Sequence, residues 1–452
     1  MLKTRILSIG VATALVTLAT PPVQAQQEPA KSAFWQTLND TTLNRLMDEA
    51  LRGNRDLRAV AMRMDGAGAA RTQAALNLVP TVTASAGYTR QRIASATFPG
   101  LGSGTLPDQG LWDSGLNVSW EPDLFGRLRG GLRAQNALLG SAEEQLRNTQ
   151  VVLAAEVARN YLDLRGTQEQ LAVAQRNATN QRRTLELTER RFDAGRGTAF
   201  DKERARAQLS FTLAAIPTFE GRIAAAQYRI AVLTGNTPQA SANALLPDGK
   251  LPPLPDTVPA IDALETIRTR PDVLSAESQV TASRALVSAA RADYLPRLSL
   301  TAGAGYTANA VDAFGKNGTF NYLVGPVISW PAFDMGRVKA RVDQAQSQEL
   351  EARARYEQTA LLAREELETA SVQYRTARAR LEHLRDAATA SERAAELARL
   401  RYEGGVADFL QVLDSERTLL AAQDQLAQAQ TQAAYAYVAL YRARGASWSM
   451  SK

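Results

Sequence analysis

Four segments of the chain alternate apolar and polar residues, and they form two pairs: residues 82–88 with 116–121, and residues 298–306 with 322–330. A period of two predicts β-strands that have one apolar face and one polar face. The members of each pair are separated by stretches rich in Gly, Ser and Asn, at 94–115 and at 309–319. Such stretches offer little that can pack in a core, so we predict exposed loops there.

Very long helices are predicted after each strand pair. Residues 127–191 and 337–401 are rich in Ala, Gln, Glu, Arg and Leu and contain no proline. As a single helix, each segment would be about 100 Å long. An average globular helix has roughly three turns, so these lengths exclude a compact domain.

Each long helix is predicted to turn at a glycine and to return as a second helix. Gly195 and Gly405 mark the turns, and residues 200–233 and 409–441 form the returning helices. Pro217 lies inside the first returning helix and predicts a bend there. Each half of the chain therefore contains a helical hairpin.

A shorter helix is predicted to open each half, at residues 42–78 and 261–294. Pro80 and Pro296 follow these helices and end them, because a proline ring excludes the preceding residue from helical geometry. The order of elements is then the same in both halves.

The chain also repeats itself in sequence, at an offset of about 210 residues. Segment 120–127 returns at 330–337, and segment 191–195 returns at 401–405. Such a long period predicts two copies of one structural unit. We divide the chain accordingly into a signal peptide at 1–25, a first repeat at 26–240, a proline-rich connector at 241–260, a second repeat at 261–445 and a tail at 446–452.

The first residues have the features of a secretory signal. Lys3 and Arg5 supply the positive start, residues 6–18 the apolar stretch, and residues 23–25 a cleavage site of small residues. The apolar stretch is too short for a permanent spanning helix, and no later run reaches 18 apolar residues. We expect the mature chain to begin near Gln26 and to leave the cytoplasm.

Charge and cysteine content narrow the function classes. The formal net charge is +6, but basic and acidic residues are interleaved throughout. This pattern is typical of solvated helices, so no nucleic-acid partner is expected. The sequence contains no cysteine. It therefore predicts no disulfide, no thiolate metal site and no lipid-modified cysteine at the mature N-terminus.

The strand pairs indicate a tube in a membrane. A strand of about 9–11 residues with one apolar face can cross a bilayer, and a sheet in hydrocarbon must close, because unpaired backbone groups are not tolerated there. Four strands are fewer than the roughly eight of the smallest membrane barrels, so several chains would have to share one barrel. Two chains would give about eight strands and three about twelve. The charged long helices would project into water.

The same patterns also fit a soluble protein, in which the strands form an exposed sheet and the helices a coiled-coil bundle. Such a chain would be a periplasmic coiled-coil adaptor or scaffold without a pore. The signal sequence, the duplication and the aromatic residues near strand ends favour the membrane interpretation. These aromatic residues are Tyr88, Trp112, Trp120, Tyr306 and Trp330.

Several short segments follow one another in a characteristic order along the chain: Phe34-Trp35, Asn54-Arg55-Asp56-Leu57, Leu124-Phe125-Gly126-Arg127, Ala215-Ile216-Pro217, Leu233-Thr234-Gly235, Arg270-Pro271-Asp272, Tyr402-Glu403-Gly404-Gly405 and Val412-Leu413-Asp414. Each segment alone is weak evidence for a protein family. Through their order and duplication, the chain resembles the outer-membrane efflux protein (TolC) family, on the branch associated with resistance-nodulation-division pumps. The resemblance covers nearly the whole mature chain.

The resemblance implies a mixed α and β fold in a homotrimer. Each protomer would give four strands to a twelve-stranded outer-membrane β-barrel, which a long periplasmic α-helical barrel continues. It implies the outer-membrane channel component of a tripartite efflux pump, passively conducting drugs or other small molecules from periplasm to exterior. The implied partners are a periplasmic adaptor (membrane fusion) protein, an inner-membrane pump and outer-membrane lipid. Many relatives carry a lipidated cysteine, whereas here the barrel alone would hold the chain in the membrane.

The resemblance places adaptor docking at the two hairpin tips, at residues 192–200 and 402–410. A tight turn between helices needs left-handed backbone geometry, which glycine supplies, so a plain helix cap is the simpler interpretation. The candidate tip residues are Gly195, Gly197, Phe200, Gly404, Gly405 and Phe409.

The resemblance also implies a constriction of the closed tunnel at Asp414. A threefold axis would bring identical carboxylates together, which could select against anions. The alternative is a solvated helix face on which Asp414 pairs with Arg417 or Arg401. Some relatives have an acidic residue at the position of Gln411, so the constriction would carry less charge here. The equivalent positions of the first repeat hold Asp201 and Arg204.

No catalytic constellation stands out. His383 is the only histidine and lies among charged residues of a long helix, as a surface side chain would. A phosphate-binding Gly-rich loop and paired carboxylates are not evident. We predict neither an enzyme nor a bound cofactor or metal.

Overall fold

The computed structural model describes residues 34–92, 108–238, 249–255 and 262–445. The predicted signal peptide, most of the first strand-connecting loop, most of the connector and the tail lie outside the described residues. Within this part of the chain, no helix has a stretch long and apolar enough to cross a membrane.

The described helices and strands follow in the order α1 (Thr41–Gly53), α2 (Arg55–Leu76), β1 (Thr81–Gln91), β2 (Gln109–Trp120), α3 (Arg127–Asp193), α4 (Ala199–Leu233), α5 (Ala263–Arg268), α6 (Pro271–Ala292), β3 (Arg297–Ala308), β4 (Phe320–Ser329), α7 (Met335–Glu403) and α8 (Phe409–Ala443). Short 3-10 helices lie at Phe34–Leu38 and Val311–Ala313. The fold is mixed α and β, as predicted.

The long helices are confirmed. α3 has 67 residues and α7 has 69, and each is followed by a returning helix of 35 residues, α4 or α8. Pro217 does not end α4, which runs through it. The boundaries match the prediction within two residues because uninterrupted helix-forming composition and a terminal glycine are strong local signals.

The two opening helices were wrongly predicted as continuous. Asn54 separates α1 from α2 in an extended conformation, and its side chain accepts from Leu57 N at 2.9 Å while donating to Leu233 O at 3.0 Å. Arg270 likewise separates α5 from α6 and is extended because Pro271 follows it. The first break depends on a bond to a distant helix end, which a local pattern does not show.

The four strands form one antiparallel sheet in the order β1-β2-β3-β4. The central pair, β2 and β3, places Gly115 opposite Gly305. The loop predicted at 94–115 was wrong at its end, because β2 already begins at Gln109. A Cβ atom at Gly115 would lie 2.9 Å from Ala304 O, so the close approach of β2 and β3 requires glycine at this position. This glycine interrupts the alternation of apolar and polar residues, which is why the start of β2 was not predicted.

Among the described residues, the sheet has one uncovered apolar face and two unpaired edges, at β1 and β4. Val324 and Ile328 of β4 are 74% and 71% exposed, and every residue of β1 is exposed. Unpaired edge groups and an apolar exposed face are costly in water. The sheet is therefore the part of the molecule that a single chain leaves least satisfied.

The helices pack around α3. This helix contacts α2, α4, α6 and α8, whereas α7 packs mainly against α6 and α8. The largest core lies near the middle of α3, where Tyr161 and Tyr437 are both 1% exposed beside the first residues that the structure describes. α3 is thus the central helix of the chain, and α4 and α7 flank the assembly.

The two halves repeat in structure as well as in sequence. Trp120 Nε1 donates to Leu78 O at 3.0 Å, and Trp330 Nε1 donates to Tyr294 O at the same distance. Both bonds fasten the end of a strand pair to the end of an opening helix. The domain boundaries drawn from the sequence stay a prediction.

Candidate functional site

Both hairpins turn through the same backbone geometry. The N–H of Gly195 donates to Phe192 O at 2.9 Å, and the N–H of Gly405 donates to Tyr402 O at 3.0 Å. Gly195 has φ of +70° and Gly405 of +76°. A Cβ atom costs about 1–2 kcal/mol in this left-handed region, so glycine is required at both positions.

The other two tip glycines have different roles. Gly404 has φ of −71°, and a Cβ there would make an ordinary 3.4 Å contact with Leu400 O. At Gly197, a Cβ atom would come within 3.0 Å of Phe192 N. Left-handed geometry therefore explains neither: Gly197 permits a close approach to the end of α3, and Gly404 ends α7 in an ordinary helical conformation.

The returning helices begin at capped residues. Thr198 Oγ1 accepts from Asp201 N at 3.1 Å and donates to Asp201 Oδ2 at 2.7 Å. Asp408 Oδ1 accepts from Gln411 N at 3.1 Å. These caps satisfy N–H groups that a helix start leaves free. They fix the first turns of α4 and α8, on which Phe200, Phe409 and Gln411 lie.

Arg191 joins the two tips. Its Nη2 donates to Tyr402 O at 2.6 Å and to Glu403 O at 3.3 Å, and its Cζ lies 4.1 Å from the Tyr402 ring centre. A cation at the carbonyl end of α7 is favoured by the helix dipole. Burial raises the pKa of the Tyr402 phenol, while the Arg191 guanidinium acts in the opposite direction. This link joins residues from different repeats, so no local pattern in the sequence indicates it.

The two candidate phenylalanines differ in environment. Phe409 is 3% exposed, with its ring centre 5.9 Å from that of Tyr402, whereas Phe200 is 67% exposed with Arg204 Cζ 5.1 Å from its ring centre. Burial leaves Phe409 little surface to offer a partner. At the offset of 210 residues, Phe200 matches Leu410, which is 51% exposed and which we had not singled out.

Asp414 and Gln411 lie on the exposed face of α8, one turn apart. In the described part of the chain, neither Arg401 nor Arg417 forms an ion pair with Asp414; Arg417 Nε instead donates to Gln208 Oε1 at 2.9 Å. The Asp414 carboxylate therefore faces solvent in the single chain. Its predicted role in a constriction depends on other copies and stays a prediction.

A buried polar seam lies behind the tips, between α3 and α8. Glu416 is 4% exposed and accepts from Thr184 Oγ1 at 2.8 Å and from Arg399 Nε at 3.1 Å. Burial raises the pKa of the Glu416 carboxyl, and the two donors oppose that change. Further along the seam, Asn177 Nδ2 donates to Gln423 Oε1 at 2.8 Å. Polar pairs of this kind fix the register of packed helices.

Groups that could bind a metal are not brought together in the residues that the structure covers. His383 is exposed on α7. Among the described side chains, no cluster of three or more His, Asp or Glu residues is arranged to hold a metal ion. The tips and the sheet are accordingly the features from which a function can be inferred.

Comparison with known proteins matches most of the chain to one family. The model of the outer membrane efflux protein family matches residues 46–236 and 264–446. The chain is 30% identical to the solvent efflux pump outer membrane protein SrpC of Pseudomonas putida, over 91% of this chain and 87% of that protein. It is also 30% identical to the outer membrane protein OprJ of Pseudomonas aeruginosa, over 94% of this chain and 88% of that protein.

A solved structure shows the same similarity in three dimensions. The outer-membrane channel OprN is 38% identical and superposes with a TM-score of 0.87, covering 93% of either chain. The resemblance inferred from short segments is thus confirmed at the level of the family and of the fold.

Proposed function

Because this chain belongs to the outer membrane efflux protein family, we propose that it is the outer-membrane channel component of a tripartite efflux pump. In this role it passively conducts drugs or other small molecules from the periplasm to the exterior. The observation that carries the proposal is the sheet, with its exposed apolar face and its two unpaired edges. The soluble scaffold that the sequence also allowed offers no use for such a sheet.

A homotrimer would pair the free edges of the sheet. Three copies of four strands make a barrel of about twelve, in which β4 of one copy pairs with β1 of the next. Barrel closure removes every free edge, and lipid covers the apolar face. The face that points inward carries Asn117, Ser119 and Thr301, which suits a water-filled passage.

The helices would continue this passage into the periplasm as an α-helical barrel. α3 and α7 each have the length of about 100 Å that such a tunnel needs. At its far end, Asp414 and Gln411 of the three copies would form the constriction. The tips that contain Gly195, Phe200 and Gly405 would dock the periplasmic adaptor protein, through which the inner-membrane pump is engaged.

The membrane role is tested by placing arginine on either face of one strand. Leu116 lies on the apolar face of β2 and is 56% exposed, whereas its neighbour Asn117 lies on the opposite face. An arginine facing lipid costs about 2–4 kcal/mol near the bilayer centre, but a lumen arginine costs little. We expect Leu116→Arg to abolish assembly in the outer membrane and Asn117→Arg to preserve it.

The readout is the amount of protein in the outer-membrane fraction and the mass of the detergent-solubilised particle. The proposal requires a particle of three chains for the unchanged protein and for Asn117→Arg. A stable monomer, or equal behaviour of the two variants, would contradict it.

A further inference from the structure

The two repeats of one chain approach each other closely where α3 crosses α8. A Cβ atom built on Gly166 of α3 would lie 2.9 Å from the Cβ atom of Thr431 on α8 and would clash with its hydroxyl. Real side chains do not approach so closely, so the helices can meet here only because residue 166 is a glycine. Gly166 and Thr431 therefore mark a close approach of α3 and α8 in the seam between the repeats.

At the equivalent positions, 210 residues away in the other repeat, glycine and threonine have changed places. Gly166 matches Thr376 of α7, and Thr431 matches Gly221 of α4. The outer surfaces of α7 and α4 thus hold the same glycine and threonine, each in the place of the other. Both residues are exposed in the single chain, and a Cβ atom at Gly221 would meet nothing within 4 Å.

In the part of the chain that the structure describes, no neighbour accounts for glycine at position 221. Glycine in a helix interior costs about 1 kcal/mol relative to alanine, and the open space around Gly221 would accept a larger residue. A close neighbour that belongs to another molecule would supply the missing reason.

The surface of α7 also carries uncovered apolar residues where α3 is covered. Val151 and Leu162 of α3 are 7% and 0% exposed, whereas their equivalents Leu361 and Val372 of α7 are 65% and 46% exposed. α3 is covered at this level by helices of both repeats. The same positions on α7 lack that cover among the described residues of one chain.

We propose that α7 of one copy packs against α4 of the next, with Thr376 seated on Gly221, so that the seam between copies repeats the seam between the repeats. The occupant of this surface is a second copy of the same chain, because the chain's own α3–α8 contact shows the complementary surface. Such a head-to-tail contact closes into a ring when its rotation fits. The inference rests on the proposed trimer and adds to it the residues that meet.

Paired cysteines test the seam directly, because the sequence contains no cysteine of its own. Disulfides need Cβ atoms about 3.5–4.5 Å apart. A Cβ atom built at position 166 lies 2.9 Å from that of Thr431, so two cysteines at the equivalent positions lie within reach of each other once the helices separate slightly. We expect the double variant Gly221→Cys with Thr376→Cys to give covalent dimers and trimers on a denaturing gel, which reduction converts to monomer. The single variants should stay monomeric on the same gel.

A register control uses Thr376→Cys with Ala225→Cys, which moves one cysteine by one helical turn and should cross-link much less. A second readout is steric: Gly221→Thr should weaken the oligomer in detergent, and adding Thr376→Gly should restore it. The mass of the unchanged protein separates the two hypotheses. A three-chain particle whose Gly221/Thr376 cysteines fail to cross-link overturns the seam alone, whereas a monomeric unchanged protein overturns the proposed function and the seam with it.

Discussion

The two helical hairpins share one backbone plan but differ in charge and burial. In the first hairpin, Glu189 of α3 pairs with Arg206 of α4 at 3.5 Å. At the equivalent positions of the second hairpin the charges are reversed, with Arg399 of α7 pairing with Glu416 of α8 at 3.1 Å. The first pair is partly exposed, whereas the side chain of Glu416 is 5% exposed.

The difference follows from what each returning helix faces. α8 packs against both α7 and α3, whereas α4 packs mainly against α3 in the part of the chain that the structure describes. The duplicated backbone persists because turn geometry and helix caps depend on local residues. The side chains have diverged because their surroundings are no longer the same. Variants at matched positions should therefore behave differently in the two hairpins.

The largest expected contrast is between Phe409 and Phe200. Phe409→Ala empties a buried position at the second tip and should cost about 3–5 kcal/mol of unfolding free energy. Phe200→Ala removes an exposed side chain and should change that free energy by less than about 0.5 kcal/mol. Thermal unfolding of the detergent-solubilised protein, followed by helical circular dichroism, measures both. Equal destabilisation by the two variants would refute the difference in burial.

The same two variants should rank in the opposite order for docking. If the exposed tip surface holds the adaptor protein, Phe200→Ala should weaken co-purification with it while the fold stays intact. Leu410→Ala, at the matched position of the second tip, should act in the same direction. Unchanged co-purification of both variants would show that the docking surface does not include these residues.

A smaller contrast concerns the link between the tips. Arg191→Ala removes two hydrogen bonds to carbonyl groups and a contact with the Tyr402 ring. We expect a loss of about 1–3 kcal/mol of unfolding free energy, because both hydrogen bonds have a charged donor and the ring contact is lost as well. Tyr402 O keeps its bond from the N–H of Gly405. The neighbouring Arg190 is exposed, so Arg190→Ala is a matched control that should have little effect. Unfolding midpoints give both values. An equal loss of stability in the two variants would show that the effect comes from removing a positive charge and not from the contacts of Arg191.

Much of this architecture follows from local signals in the sequence. Long segments without proline, ending at glycines with φ of +70° and +76°, fixed both hairpins within two residues. Alternation located the strands except for the start of β2, where glycines interrupt the apolar pattern. The break at Arg270 had a signal in the sequence, since Pro271 restricts the residue before it.

The remaining features depend on contacts between distant parts of the chain. The break at Asn54 is completed by a bond to Leu233 O, 179 residues away. Phe409 is buried because α7 and α4 supply its neighbours, which no local pattern reveals. The offset of 210 residues did contain one usable signal, since it pairs Phe200 with Leu410 rather than with Phe409.

The smallest expected effect is a pH dependence at Glu416. Burial raises the pKa of this carboxyl from its ordinary value of 4.5, against the opposing effect of Thr184 and Arg399. The folded protein therefore holds this proton more tightly than the unfolded chain does. The associated stability is present below pH 4.5 and is lost as the pH rises through the higher pKa of the folded state.

Glu416→Gln removes this titration, so the stability of the unchanged protein relative to the variant should fall as the pH increases from about 4 to about 7. Denaturant unfolding at a series of pH values gives the difference. The matched control is Glu189→Gln in the first hairpin, where the carboxylate is partly exposed and the burial that causes the trend is lacking. A relative stability of the unchanged protein that stays constant, or that rises with increasing pH, would mean that the donors outweigh burial at Glu416. The charge reversal between the hairpins would then have no consequence for pH dependence.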